Sequence, residues 1–297
     1  MRLLSVIDAP SDLGLRPSGV ALLPAALREA GLLEGIEDVH HAGRVPVPAY
    51  DSIRDTSTGV LNSPGIRSFT ARLAERVTSS LDLGRFPLVL GGDCSILLGA
   101  LLSLRRRGRF GLFFVDGHAD FYSPESEPNG EVASMDLAVA TGRGPAELAN
   151  IDGLSPLVDE KDVVVFGIRD ADIAAAYGSP DVRQTEMHVT ELAAIRRSGA
   201  AEAAREGIQA LAGKGIEGFW VHLDADVLDD NVMPAVDYRM PGGLSPDELL
   251  QSLAVILASP FAVGMDVTIY NPELDDDERS AGRVLAKTLA IAFASAT

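Results

Sequence analysis

Residues Leu112-Phe113-Phe114-Val115-Asp116-Gly117-His118-Ala119-Asp120 join four apolar residues to a D-x-H-x-D pattern. The apolar part is too short for a helix and shows no polar alternation, which predicts a strand covered on both faces. Working outward, five further runs read the same way: Leu3–Ile7, Leu88–Leu90, Val163–Ile168, Phe219–Leu223 and Phe261–Val267. Helical period fills the spaces between them. Ile66, Phe69, Leu73, Val77 and Leu81 recur at spacings of three and four, so all five share one helix face. Pro24 opens a helix through ALREA that Gly31 closes, and Ser245 with Glu248 forms a capping box before Leu249. Strands alternating with helices predict an α/β fold: one domain over residues 1–297, with a mostly parallel central sheet in a three-layer α/β/α arrangement.

Two tracts, Gly43–Pro64 and Pro124–Gly130, read as loops over the sheet edge rather than linkers, and no internal repeat is visible. Arg105–Arg107 reads as a solvated helix end, and Asp275–Glu278 as the acidic approach to a helix N-terminus. The chain has 43 Asp plus Glu against 25 Lys plus Arg, a net charge of −18, which opposes nucleic acids and anionic membranes and favours a small cationic ligand. Its one cysteine, Cys94, excludes an internal disulfide framework. The opening MRLLSVIDAPSDLG meets Asp8 and Pro10 too early for a signal peptide, and no run reaches the ~18 apolar residues of a spanning helix. A soluble cytoplasmic protein is expected.

In an open parallel sheet, ligands bind beyond the carboxyl ends of the strands. Three of those ends carry acids here: Asp116, His118 and Asp120 after one run, Asp224 and Asp226 after another, and Gly91-Gly92-Asp93-Cys94-Ser95 after a third. Period-two spacing turns alternate residues to one side. Gathered together, these anions would repel one another and lose hydration, so a cation is required. The set exceeds what one tetrahedral zinc accepts, whereas two six-coordinate divalent ions with bridging carboxylates would use all of it. His40, His41, His188 and His222 lack ligand spacing with the cluster; packing is expected for all four, with His222 the one that could line the site.

The motifs GGDCS at 91–95, DGHAD at 116–120, GIRDAD at 167–172, HLDADVLD at 222–229, PGGLS at 241–245 and MDVTIYNP at 265–272 together resemble the ureohydrolases, which include arginase, agmatinase and formimidoylglutamase. The resemblance spans nearly the whole chain. It implies an arginase-like fold, two manganese ions and a homo-oligomer, trimeric or hexameric. It further implies one ion held by Cys94, Asp116, Asp120 and Asp224, and the other by Asp116, His118, Asp224 and Asp226.

Three positions depart from the family pattern. Cys94 stands where the first ligand is normally histidine, and its soft thiolate should weaken manganese there or favour zinc, iron or cobalt. Two other readings stay open for Cys94: a structural thiol beside a single-metal site, and a nucleophile with His118 as its base. Ala133 occupies the position of the catalytic histidine, and Ile269 that of the guanidinium-binding glutamate, so a bidentate hold on a planar cation is lost. Asp172 matches the residue that holds a substrate α-amino group. Glu131 and Asp136 add carboxylates in the loop that normally faces substrate, either replacing lost charge or simply solvated.

The expectation is a binuclear hydrolase in which metal-activated hydroxide attacks carbon and Asp120 relays the proton to the leaving nitrogen. With Ile269 and Ala133 in place, the substrate would be a modified guanidino, hydroxyguanidino, formimino or related amino-acid-like compound. The rival reading is an inactive, metal-binding regulatory protein on the same scaffold.

Overall fold

The computed structural model describes residues 2–296. Eight strands form one sheet: β1 (Leu4–Asp8), β2 (His40–Arg44), β3 (Phe86–Leu90), β4 (Gly111–Val115), β5 (Val163–Phe166), β6 (His188–Thr190), β7 (Phe219–Asp224) and β8 (Ala262–Thr268). Their order is β2-β1-β3-β8-β7-β4-β5-β6, and every neighbouring pair is parallel. Each run that the sequence marked as a strand lies in this sheet.

Alternate residues of each strand feed opposite layers, because successive side chains point to opposite faces. Val6, Leu88, Phe113, Val221 and Met265 pack with Leu27, Leu253, Leu257 and Leu285 from the helices on one side. Ile7, Val89, Phe114, Val165 and Trp220 pack with Ile66, Phe69, Leu73, Val77 and Leu101 on the other. The result is three layers, α/β/α. Among the described residues, no helix is long and apolar enough to cross a membrane.

Two strands were not legible from the apolar runs. β2 and β6 sit at the sheet edges, pair on one side only, and read His-His-Ala-Gly-Arg and His-Val-Thr. An edge strand buries less and so needs fewer apolar residues. The tract 43–64 accordingly begins inside β2 and ends in the first turn of the helix Ser63–Asp82. Local signals otherwise hold. Ser245 Oγ accepts the Glu248 N–H at 3.2 Å while Glu248 Oε2 accepts the Ser245 N–H at 2.8 Å. Asp275 and Asp276 accept N–H groups of Gly282 and Ser280 at the start of the helix Ser280–Ser295. Arg106 and Arg107 are exposed just past the helix Leu97–Arg105 and pair with Asp152 and Asp82.

For the site, what matters is the middle of the sheet. The chain runs from β3 to β4 and returns later to place β7 and β8 between them. The carboxyl ends of β3, β8, β7 and β4 therefore stand side by side, and these ends carry Cys94, Thr268, Asp224 and Asp116.

Candidate metal centre

The turn after β3 is fixed before any ligand is considered. A Cβ on Gly92 would lie 1.7 Å from the Ser11 carbonyl oxygen, so only glycine passes there. Buried Asp93 then accepts the N–H of Gly14 at 3.1 Å and of Ser95 at 2.8 Å, capping the short helical turn that begins at Cys94. Cys94 is thereby held against β7 and β8. Its Sγ lies 2.9 Å from Asp224 Oδ2 and 3.3 Å from Thr268 Oγ1.

From β4, Asp116 Oδ1 accepts the His118 N–H at 2.7 Å. From β7, Asp224 Oδ1 accepts the Asp226 N–H at 2.7 Å. Asp226 joins the two loops, since Oδ1 accepts the Gly117 N–H at 3.2 Å and Oδ2 meets His118 Nδ1 at 2.8 Å. Arg169 straps this corner from outside by donating to the carbonyls of Asp226 and Met240, each at 2.8 Å.

Two groups of donor atoms result, each with all atoms within 4.8 Å of one another. The inner group is Cys94, Asp116, His222 and Asp224, all buried; the outer group is Asp116, His118 and Asp226. Asp116 belongs to both. Asp120 lies outside both groups but lines the adjoining cavity, with φ of 42° placing it in the left-handed region that Asp tolerates better than most residues.

The electrostatics mark the centre as short of positive charge. Burial, then neighbouring carboxylates, push the carboxyl groups of Asp116, Asp120 and Asp224 well above the usual range. Burial and the Asp224 charge push the Cys94 thiol up as well. That opposes a nucleophilic thiolate in the metal-free protein, and His118 faces Asp226 rather than Cys94. Burial alone would lower the His118 pKa, but the Asp226 carboxylate outweighs it and raises the imidazole to about 10. Burial likewise acts to raise Asp226, and its bond to cationic His118 brings it below the ordinary value. Protons thus stand in for cations. Two deeply buried atoms, Asp116 Oδ2 and His222 Nε2, have no hydrogen-bond partner among the described residues. Leaving such groups unpaired costs roughly 1–3 kcal/mol each. A divalent ion ligated by both would remove that cost, so the donor set fits a metal centre.

A cavity of about 220 Å3 opens against this centre. Its wall includes Cys94, His118, Asp120, Asp224 and Asp226, together with Tyr122, Glu127, Tyr177 and Tyr238. The other two of the three departures from the family pattern, Ala133 and Ile269, also face it. Ile269 has φ of 70°, a region that a β-branched residue rarely adopts, and its N–H is tied to the Gly92 carbonyl at 2.9 Å.

The remaining candidates fall elsewhere. Asp172 is exposed in the first turn of the helix Ala171–Ala176; its neighbour Ile173 is the one in the cavity wall. Glu131 and Asp136 are not solvated, which corrects that reading: both are buried behind the wall. Glu131 accepts the Tyr238 hydroxyl at 2.5 Å and so supports a wall residue, while one oxygen of Asp136 has no partner among the described residues. Burial, then neighbours including Asp266, raises the Asp136 carboxyl well above its ordinary range.

His222 is the residue that sequence reasoning assigned to packing, with lining the site as the lesser alternative. It belongs to the inner group rather than to packing alone. The signal was present, because His222, Asp224 and Asp226 repeat the period-two spacing that singled out 116–120.

The arginase family model matches residues 3–294. The chain belongs to the arginase family. An arginase of Staphylococcus aureus is 30% identical over 290 residues, covering 95% of this chain and 94% of that protein. The crystal structure of an arginase from Bacillus caldovelox superposes with a TM-score of 0.86 at 28% identity, covering 99% of this chain and 98% of that one. Formimidoylglutamase from Bacillus subtilis shares the fold, with a TM-score of 0.77 at 19% identity, over 99% of this chain and 87% of that one. Arginase-family proteins are metal-dependent hydrolases of amidino C–N bonds with a binuclear metal centre, commonly manganese. The three-layer architecture expected from the apolar runs is the arginase fold.

Proposed function

We propose that this chain hydrolyses a C–N bond in a small amino-acid-like compound whose amidino group is modified, such as a hydroxyguanidine or a formimino derivative. One observation carries the substrate reading: Ala133 and Ile269 stand in the wall of the cavity that opens on the metal centre. An isoleucine cannot make the paired hydrogen bonds that hold an unmodified guanidinium, and it favours a less basic group at that point.

Cys94, Asp116, His118, Asp224 and Asp226 would hold the ions, with Asp116 common to both groups of donors, and Asp120 would join them from the cavity wall. Two divalent ions supply Lewis acidity that makes water nucleophilic near neutral pH. The chain's own side chains do the rest. Asp120, in the wall beside Asp224 and Asp226, takes a proton from the attacking water and passes it to the leaving nitrogen. In the metal-free protein its own carboxyl is raised, by burial first and by Asp136 next. Tyr122, Tyr177 and Tyr238 line the cavity, with Tyr177 and Tyr238 exposed at its mouth and Tyr238 held in place by Glu131. Asp172 lies on the exposed rim of this region, and its part in binding an α-amino group would require a substrate that reaches out of the cavity. Assembly as a homo-oligomer and a cytoplasmic location belong to the same reading.

The test is a panel of guanidino, hydroxyguanidino, formimino and amide compounds incubated with manganese- and zinc-loaded protein, with urea, formamide and ammonia measured. Turnover of a modified compound in preference to arginine is expected. Arginine turned over fastest would overturn the substrate reading, and no product from any compound would overturn the hydrolase.

A further inference from the structure

We propose that His222 is a metal ligand, and that its Nε2 joins Cys94, Asp116 and Asp224 in an inner site that selects zinc over manganese. This rests on the reading of the centre as a binuclear metal site.

His222 is wholly buried on β7, two residues before Asp224, so both side chains leave the strand on the same face. Its ring is held by two contacts. Phe114 stacks against it with centroids 4.7 Å apart and planes 18° from parallel. Nδ1 lies 2.5 Å from Asp266 Oδ2 on β8. The other oxygen of Asp266 accepts the Trp220 indole N–H, so the carboxylate itself is aimed. A carboxylate on one ring nitrogen fixes the tautomer and leaves the other nitrogen with a free lone pair. That is the usual support of a metal-bound histidine.

Among the described residues, neither the free nitrogen, His222 Nε2, nor Asp116 Oδ2, which stands 4.0 Å from it, has a hydrogen-bond partner. At 4.0 Å the two cannot hydrogen-bond to each other. The separation is less than twice the ~2.1 Å of a zinc–nitrogen or zinc–oxygen bond, so one ion can touch both, and the two donors need close by only about 0.6 Å to reach the tetrahedral angle. Sγ of Cys94 and a carboxylate oxygen of Asp224 complete the group within the same 4.8 Å.

Four protein donors, one thiolate, one imidazole and two carboxylates, match the count and the softness that zinc accepts in tetrahedral geometry. Manganese prefers harder oxygen donors and higher coordination. The outer group, with His118, Asp226 and the shared Asp116, has no sulfur and is the harder of the two. The two sites of one chain therefore differ in the metal they prefer.

The experiment uses full-length protein, stripped with chelator and titrated with zinc or manganese, with stoichiometry and affinity read by calorimetry and metal analysis. Zinc X-ray absorption at one equivalent is expected to show a sulfur at about 2.3 Å together with imidazole scattering. In His222→Ala, zinc affinity at that site should fall at least about 100-fold and the imidazole scattering should disappear, while one manganese still binds at the outer site. Sulfur with only oxygen neighbours in the wild type, or an unchanged spectrum in His222→Ala, would overturn the inference and leave the binuclear reading standing. No bound metal in the wild type would overturn both. Should His222→Ala not fold, the wild-type spectrum decides alone.

Discussion

The two halves of the centre share Asp116 and differ in almost everything else. In the outer half His118 and Asp226 neutralise each other at 2.8 Å, and the imidazole keeps 20% of its side chain exposed. In the inner half Cys94, Asp116, His222 and Asp224 are buried, Cys94 and Asp224 against the cavity wall, and two of their polar atoms have no partner among the described residues. A site that supplies its own counter-charge tolerates loss of the ion; a dry site with orphaned donors depends on it. Metal should therefore matter more to structure on the inner side and more to substrate handling on the outer, more exposed side.

The largest effect should come from removing metal altogether. Chelation is expected to abolish turnover and to lower the melting temperature, with about 4 kcal/mol of stabilisation returning when an ion is restored at 1,000 times its Kd. Differential scanning calorimetry with and without metal measures this, and an unchanged melting curve would break the comparison at its root.

Next in size, Asp116→Asn should weaken both ions by more than about 100-fold, because Asp116 serves both halves. Asp226→Asn should weaken only one. Equal losses in the two variants, read by metal titration, would show that the halves are not separate sites.

The third is a pH dependence. His118, raised to about 10 by Asp226 against the opposing pull of burial, must lose its proton before it can ligate an ion. Affinity at the outer site should then rise with pH, roughly tenfold per unit below that value for this one proton. The metal-free protein runs the other way. The stability that the raised His118 pKa contributes is fully present below its unfolded value of about 6.5, and it is lost as pH rises through about 10. Isothermal titrations between pH 6 and 9 check the first sign, and chemical denaturation of stripped protein checks the second.

Smallest is Trp220→Phe. It removes one donor to Asp266 and loosens the carboxylate that aims His222, so inner-site affinity should fall about tenfold with the outer site unchanged. A larger loss at the outer site would mean that the aiming chain serves the wrong half.

Much of this was legible beforehand, for local reasons. The strand ends with acids announced themselves because a buried parallel strand must be apolar, and a carboxylate directly after it has nowhere to go but the ligand end of the sheet. The edge strands β2 and β6 were not legible, since solvent on one side frees them from that rule. Asp172 illustrates a different limit. Motif position suggested a substrate contact, but helical geometry turns Ile173 rather than Asp172 toward the cavity. For Glu131 and Asp136 the loop sequence could not say whether carboxylates were wet or dry, because burial depends on what packs over them from other segments.

By itself, then, the chain's order of residues determined the alternation of strands and helices and the acids at three strand ends, which follow from period and chemistry within short windows. Ala133 and Ile269 stood out only against the pattern of the ureohydrolases that the motifs resemble. Only the folded molecule decided that Ala133 and Ile269 share a cavity wall and that His222 meets Cys94 and Asp116. Those neighbours lie on strands far apart in the chain, and their contact is a property of strand order, which short-range pattern does not encode.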